Sequence, residues 1–224
     1  MNSVGRDKAW RIAYGAVERL GLPSDKARPH ELLLVAKLTT SDNQYTLKLN
    51  YEDQQRILNI SEGLLDRDSF VAVGMSLGII PVPIISTVEY PSAAAPVYFP
   101  DPNVFDTAAT ATLSEAQALE SIYWGRHTLI TNEGVRIQKR PNISFRTVQQ
   151  TQGSATTQNM QNDQEIKEIG APVRFGGGDQ NEIIIDIKCD DKTDLAGDAA
   201  RQNYLVVGLY GAILKGSTTK VYSK

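Results

Sequence analysis

Two histidines, His30 and His127, are the whole supply of neutral-pH general bases in this chain of 224 residues. Either could serve a serine, because triads are assembled in space and not in sequence. Their contexts do not invite it. His30 follows Pro29 in what reads as a polar connection, and His127 follows Arg126 at the start of a strand. No nucleophile elbow of the G-x-S-x-G kind is expected. The chain is therefore expected to be non-catalytic, with both histidines in surface or hydrogen-bonded roles.

Gly176-Gly177-Gly178 could cradle a phosphate only within G-x-x-x-x-G-K-[ST], where a lysine reaches the phosphates and a hydroxyl holds magnesium. Asp179, Gln180 and Asn181 follow instead, so the triplet is expected to supply positive φ in a turn. Asp190, Asp191, Asp194 and Asp198 make an oxygen-rich stretch of the kind calcium favours. Their spacing departs from D-x-[DN]-x-[DN]-G, and a solvated acidic loop accounts for them. Asp66 and Asp68 flank Arg67, which can neutralise them, and no glycosidase pair can be picked from 26 Asp and Glu residues without geometry. Asn59 and Asn142 stand in N-x-S sequons, which matter only on a secretory route. Cys189 is the single cysteine, so neither an internal disulfide nor a thiolate zinc site is expected. No cofactor and no metal is expected.

The totals exclude further classes. Lys and Arg number 23, so the net charge is −3, which argues against a chain that grips nucleic acid with its whole surface. Hydrophobic residues at 41% and charged residues at 22% are ordinary globular usage, enough to bury a core. The opening MNSVGRDKAW lacks the apolar centre of a signal peptide. The apolar stretches 70–85 and 204–214 are broken by Gly, Ser or Pro and are not membrane spans. A soluble protein made in the cytoplasm is expected.

The elements that must carry these residues read as mostly β. Residues 1–28 form an N-terminal helical arm, in which Trp10, Ala13, Tyr14 and Val17 recur at helical spacing and Gly21 and Pro23 end the helix. The arm is basic, with Arg6, Lys8, Arg11, Arg19, Lys26 and Arg28 against Asp7, Glu18 and Asp25. It either packs on its own domain or reaches a neighbouring subunit or an anionic surface. Arg6, Lys8, Trp10, Arg11, Tyr14 and Val17 are the residues expected to make such an assembly contact. Residues 29–224 then read as one β-sandwich. Strands are expected at 32–38, 45–49, 70–80, 128–131, 135–139, 143–148, 182–189 and 204–214. Over 70–80, Val71, Val73, Met75, Leu77 and Ile79 are expected on one face. Ala72, Gly74, Ser76 and Gly78 lie opposite, small enough for a backbone or subunit to approach. Short helices are expected within 51–65 and from Ser114, where Ser114-Glu115-Ala116-Gln117 has capping-box form and Gly125 closes the helix. Loops 90–102, rich in proline, and 149–164, polar throughout, are too long for a minimal core. At least one of them is expected to order against another subunit. No internal repeat is present.

The run Leu64-Leu65-Asp66-Arg67-Asp68-Ser69-Phe70, leading straight into a strand, resembles the L-x-x-R-D-x-F strand entry of virion proteins of tailless phages that infect Bacteroidetes. Phe175 with the glycine triplet, the strand after it, and the apolar 204–214 stretch with Gly208 and Gly211 add a second likeness. The resemblance implies an antiparallel jelly-roll capsid subunit, single more readily than double. It implies a virion location and copies of the chain as partners. Contacts with other virion proteins, and of the arm with nucleic acid or an internal membrane, belong to the same expectation. The competing expectation is a monomeric ligand- or carbohydrate-binding sandwich, against which the 7% aromatic content counts mildly.

Overall fold

The structure, a computed structural model, describes residues 6–40, 42–50, 63–89, 114–146, 166–177, 181–187, 195–198 and 200–216. In chain order its elements are helix α1 (Arg6–Arg19) and strands β1 (Ala27–Lys37), β2 (Gln44–Lys48), β3 (Ser69–Ile85) and β4 (Val88–Glu89). Helix α2 (Ser114–Trp124) leads to β5 (Arg126–Thr131), β6 (Gly134–Pro141), β7 (Lys167–Gly176), β8 (Glu182–Asp186), β9 (Gly197–Asp198) and β10 (Arg201–Leu214). The loops 90–102 and 149–164, residues 51–62 of the stretch 51–65 expected to carry a helix, and Asp190, Asp191 and Asp194 lie outside the described residues.

Two antiparallel sheets face each other. One runs β1-β10-β3-β7, with β4 on the end of β3 and β9 on the start of β10; the other runs β2-β8-β5-β6. Every strand pair is antiparallel. The path crosses between sheets from β1 to β2 to β3 and, after β4, to β5, then from β6 to β7 to β8 to β10. This is the strand order of a single jelly roll, two Greek keys wound together. The alternation that predicts it is real where one face is wet: β2 and β8 each bury every second residue. Tyr45, Leu47, Leu129, Ile183 and Ile185 point inward from the second sheet. They meet Leu32, Leu34, Phe70, Met75, Leu205, Val207 and Leu209 from the first.

Strand β3 departs from simple alternation. Phe70 and Ala72 face the inner core with Met75, Leu77 and Ile79, whereas Val71 and Val73 face outward. The parity changes because Ala72 pairs with Gly211 and Gly74 with Tyr210, leaving Val73 as the extra residue of a bulge. The expected single face from Val71 to Ile79 is thus split between two cores. Its small residues do not wait for another subunit. Ser76 reaches the Tyr210 hydroxyl at 3.3 Å, and a Cβ on Gly208 would strike both, so small side chains make the bed for the Tyr210 ring.

Three further expectations are corrected. His30 belongs to strand β1, half-buried and edge-on to Phe70, because β1 begins at Ala27 and not at residue 32. Residues Asn142–Phe145 form a 3-10 turn and not a strand, since Asn142 and Phe145 must both turn inward. Gly177 does not supply positive φ. It lies so close to the Asp66 backbone that any Cβ would collide with the Asp66 carbonyl.

Helix α1 lies across the outer face of the first sheet. Ala9, Ala13, Ala16 and Val17 are buried there with Val71, Val73, Tyr210, Ala212 and Leu214. Alanines let the helix axis approach the sheet closely. Ala13 and Val17 are buried as expected, but Ala9 and Ala16 take the places expected of Trp10 and Tyr14, and Tyr14 and Leu20 are 38% and 51% exposed. Gly21 ends the helix at φ 64°, with Leu22 N–H donating to the Val17 carbonyl and Gly21 N–H to that of Glu18, a Schellman cap. The helix thus covers its own sheet, so the subunit depends on it. Val17→Ala should lower unfolding free energy by roughly 2 kcal/mol, or about 4–8 °C in melting temperature. Removing residues 1–19 should lower it further. An unchanged melting temperature in both would contradict this packing.

Candidate functional site

Several cationic side chains line a cleft where the two sheets part. Among the described residues β6 is one edge of the second sheet and β7 one edge of the first, and between them runs this cleft of about 910 Å³. Arg136, Lys139, Arg140 and Arg174 line it, against Glu133 as the acid among the lining residues. Ile137, Ile169 and Val173 supply an apolar floor, and Leu20 closes one side from the end of α1. Glu133 pairs with Arg136. Arg140 donates to the Ile169 carbonyl at 2.9 Å, which ties the two sheets together across the cleft. The Lys139 and Arg174 side chains have no ion-pair partner among the described residues.

Both walls are irregular. Opposite β3, Gly74 pairs with Glu168 and Ala72 with Val173, so Ile169, Gly170, Ala171 and Pro172 bow out of the ladder. Gly170 takes φ 101° to allow it. On β6 the register slips twice against β5, and Lys139 adopts φ 46°. Charged residues and bulges are how sheet edges avoid pairing with other sheets. The cleft therefore presents side chains, and neither wall offers a straight template for a further strand. Periodicity could not reveal β7, since its outward bow breaks the alternation.

His127 sits elsewhere, wholly buried under the turn Asn142–Phe145. Asn142 donates from Nδ2 to the Ile122 carbonyl at 2.9 Å, leaving its Oδ1 to accept from His127 Nδ1 at 2.9 Å. The Phe145 ring packs edge-on at 5.1 Å. Nδ1 thus carries the proton, and Nε2 has no hydrogen-bond partner. Burial lowers its pKa to about 4, opposed by the bond to Asn142 and assisted by the charge of Arg140. A base that no substrate can touch is a packing group with a polar edge.

One motif escaped the sequence expectation. Gly74-Met75-Ser76-Leu77-Gly78 does carry the G-x-S-x-G spacing. A working elbow exposes its serine on a sharp strand-to-helix turn. Here Ser76 is buried in mid-strand against Tyr210. Asn142, the second sequon asparagine, is likewise buried and committed to His127.

The residues expected in the arm contact are not one surface. Val17 is buried, Trp10 is half-buried and tilted against Tyr14 at 5.7 Å, and Arg6 lies 3.5 Å from Glu31 and over the Tyr210 ring. Lys8, Arg11 and Tyr14 face outward. On the opposite half of the outer sheet face, Glu89 accepts from both Lys37, at 2.8 Å, and the Tyr204 hydroxyl. Burial pushes the Glu89 carboxyl up, but these two donors outweigh it and hold its pKa below the ordinary value. Burial and the same carboxylate push Tyr204 well up. Among the described residues no group of three or more His, Cys, Asp or Glu side chains could hold a metal ion, and no helix is long and apolar enough to cross a membrane. No family model, curated protein or solved structure matches the chain.

The buried imidazole has a measurable signature. Its folded pKa is below its unfolded one, so above about pH 6.5 it is neutral in both states and costs nothing. As pH falls from 6.5 to 4 the unfolded chain takes up a proton that the folded one refuses. Wild type should lose roughly 3 kcal/mol of stability over that interval from this group alone. The stability gap between wild type and His127→Gln, followed by chemical denaturation, should narrow by about that amount. A gap constant from pH 7 to pH 4 would contradict the buried neutral imidazole.

Proposed function

We propose that this chain is a bacteriophage virion structural protein, a capsid subunit that assembles with copies of itself and works without chemistry. The observation that supports it is the arrangement of connections around the jelly roll. β1 ends, β2 begins, β3 ends, β5 begins, β6 ends, β8 ends and β10 begins at one end of the sandwich. The long connections β3–β5, β6–β7 and β8–β10 therefore all leave from that end. The other end carries the β2–β3 connection of residues 49–68 and short ones such as the β5–β6 hairpin at Thr131 and Gly134. A shell subunit uses a rigid sandwich to present long connections to its neighbours, and the three that leave from one end support that reading.

The two other jelly-roll occupations fit less well. A metal-centred jelly-roll enzyme gathers several imidazoles, and this sequence has two, one in β1 and one buried in β5. A sugar-binding sandwich stacks rings on aromatic side chains, and the residues lining the β6–β7 cleft include none. Within the capsid reading, Lys8, Arg11 and Tyr14 on the outer side of α1 are the arm residues placed to meet a neighbouring subunit, another virion protein, packaged nucleic acid or an internal membrane.

Size-exclusion chromatography with light scattering tests the reading. Wild type should elute as a homo-oligomer whose mass grows with concentration. The variant lacking residues 152–161 should keep its melting temperature and assemble less. A wild type that stays monomeric at every concentration would overturn the proposal.

A further inference from the structure

We infer that the β6–β7 cleft seats an acidic segment of a second copy of this chain. The inference rests on the capsid reading and names a surface through which the copies would meet. Four cations converge on the cleft, and two of them, Lys139 and Arg174, have no acidic partner among the described residues. Arg140 spends one N–H on the Ile169 carbonyl but keeps its charge uncompensated. Leaving like charges side by side destabilises the fold slightly, so a ligand that neutralises them is favoured in proportion.

The walls decide what kind of ligand. A strand cannot add regularly to β6, where Lys139 sits at positive φ, or to β7, where Gly170 and Pro172 bow outward. Main-chain augmentation is closed, and recognition passes to side chains. The cleft offers carboxylate-binding guanidinium groups above an apolar floor of Ile137, Ile169 and Val173. It offers no aromatic platform on which bases could stack.

Charge complementarity then selects the occupant. The chain is acidic overall at −3 even though this cleft is cationic, so the remaining surface of a second copy is the negative counterpart. Its densest acidic stretch follows Asp186 at the end of β8 and holds Asp190, Asp191 and Asp194. The cleft residues and this stretch are different segments of the sequence, so a contact between copies pairs unlike surfaces, head-to-tail. Such contacts close into rings or continue into larger assemblies.

Sedimentation velocity of the full chain tests this at low and high salt. Lys139→Glu with Arg174→Glu should weaken self-association roughly tenfold at low salt and leave the melting temperature unchanged. Wild-type association should itself weaken between about 0.05 M and 0.5 M salt, as exposed charge pairs are screened. Mixing that variant with Asp190→Lys/Asp191→Lys should restore association between the two. If the cleft variant associates like wild type, the inference falls and the capsid reading stands. If wild type associates only when an oligothymidine strand is added, the cleft is a phosphate-backbone site and the inference is wrong. If wild type never associates, the capsid reading falls and takes the inference with it.

Discussion

Strand β10 must be covered on both faces, and the rest of the molecule is arranged to do it. From Asn203 to Leu214 every residue is buried. Inward, Leu205, Val207, Leu209 and Ile213 need the second sheet. Outward, Tyr210, Ala212 and Leu214 need α1, while Tyr204 and Val206 join Val35, Ile80 and Val82 in a separate apolar cluster. Laterally, β1 and β3 take up its backbone groups along almost its full length. Each fully buried aliphatic side chain contributes about 1.5–3 kcal/mol relative to exposure, so this strand alone outweighs any ion pair in the structure. The jelly-roll order follows, because a central strand in one sheet needs the opposing sheet to be wound around it.

How much of this could be read from residues alone depends on whether one rule governed each segment. β2 and β8 obey alternation and were legible, as was the long apolar run of β10. β3 begins near its expected place but runs on to Ile85, past the expected end at residue 80, and its bulge swaps which residues see which core; no single-strand pattern shows where a partner strand will slip. β7 was invisible because Gly170 and Pro172, which read as loop residues, sit in a bow within the strand. In α1 the helical period was plain, yet the buried stripe went to alanines and not to Tyr14. The sheet selects for close approach, and a bulky face could not have lain as near.

The site was legible in its parts and not in its union. Arg136, Lys139, Arg140 and Arg174 come from two strands and become neighbours because, among the described residues, β6 and β7 are edges of facing sheets. His127 shows the converse. It attracted a chemical question by residue type, and its surroundings answer it: a neutral imidazole locked to Asn142 beneath Phe145 holds the turn that follows β6. The G-x-S-x-G spacing in β3 makes the same point, since Ser76 is spent on bedding Tyr210. His127 and Ser76 are used for packing, and the cationic side chains of the cleft lie at the sandwich edge.

Hydrogen exchange, measured on the dilute chain and again on the concentrated one, bears most directly on the claim of a self-sufficient sandwich that meets its copies through its edges and connections. The account predicts that β10 amides are equally protected in both samples, because α1 and the second sheet already cover that strand. New protection should appear on concentration at residues 136–140 and 169–174. Exchange that is identical everywhere at both concentrations, or β10 amides protected only in the concentrated sample, would contradict it.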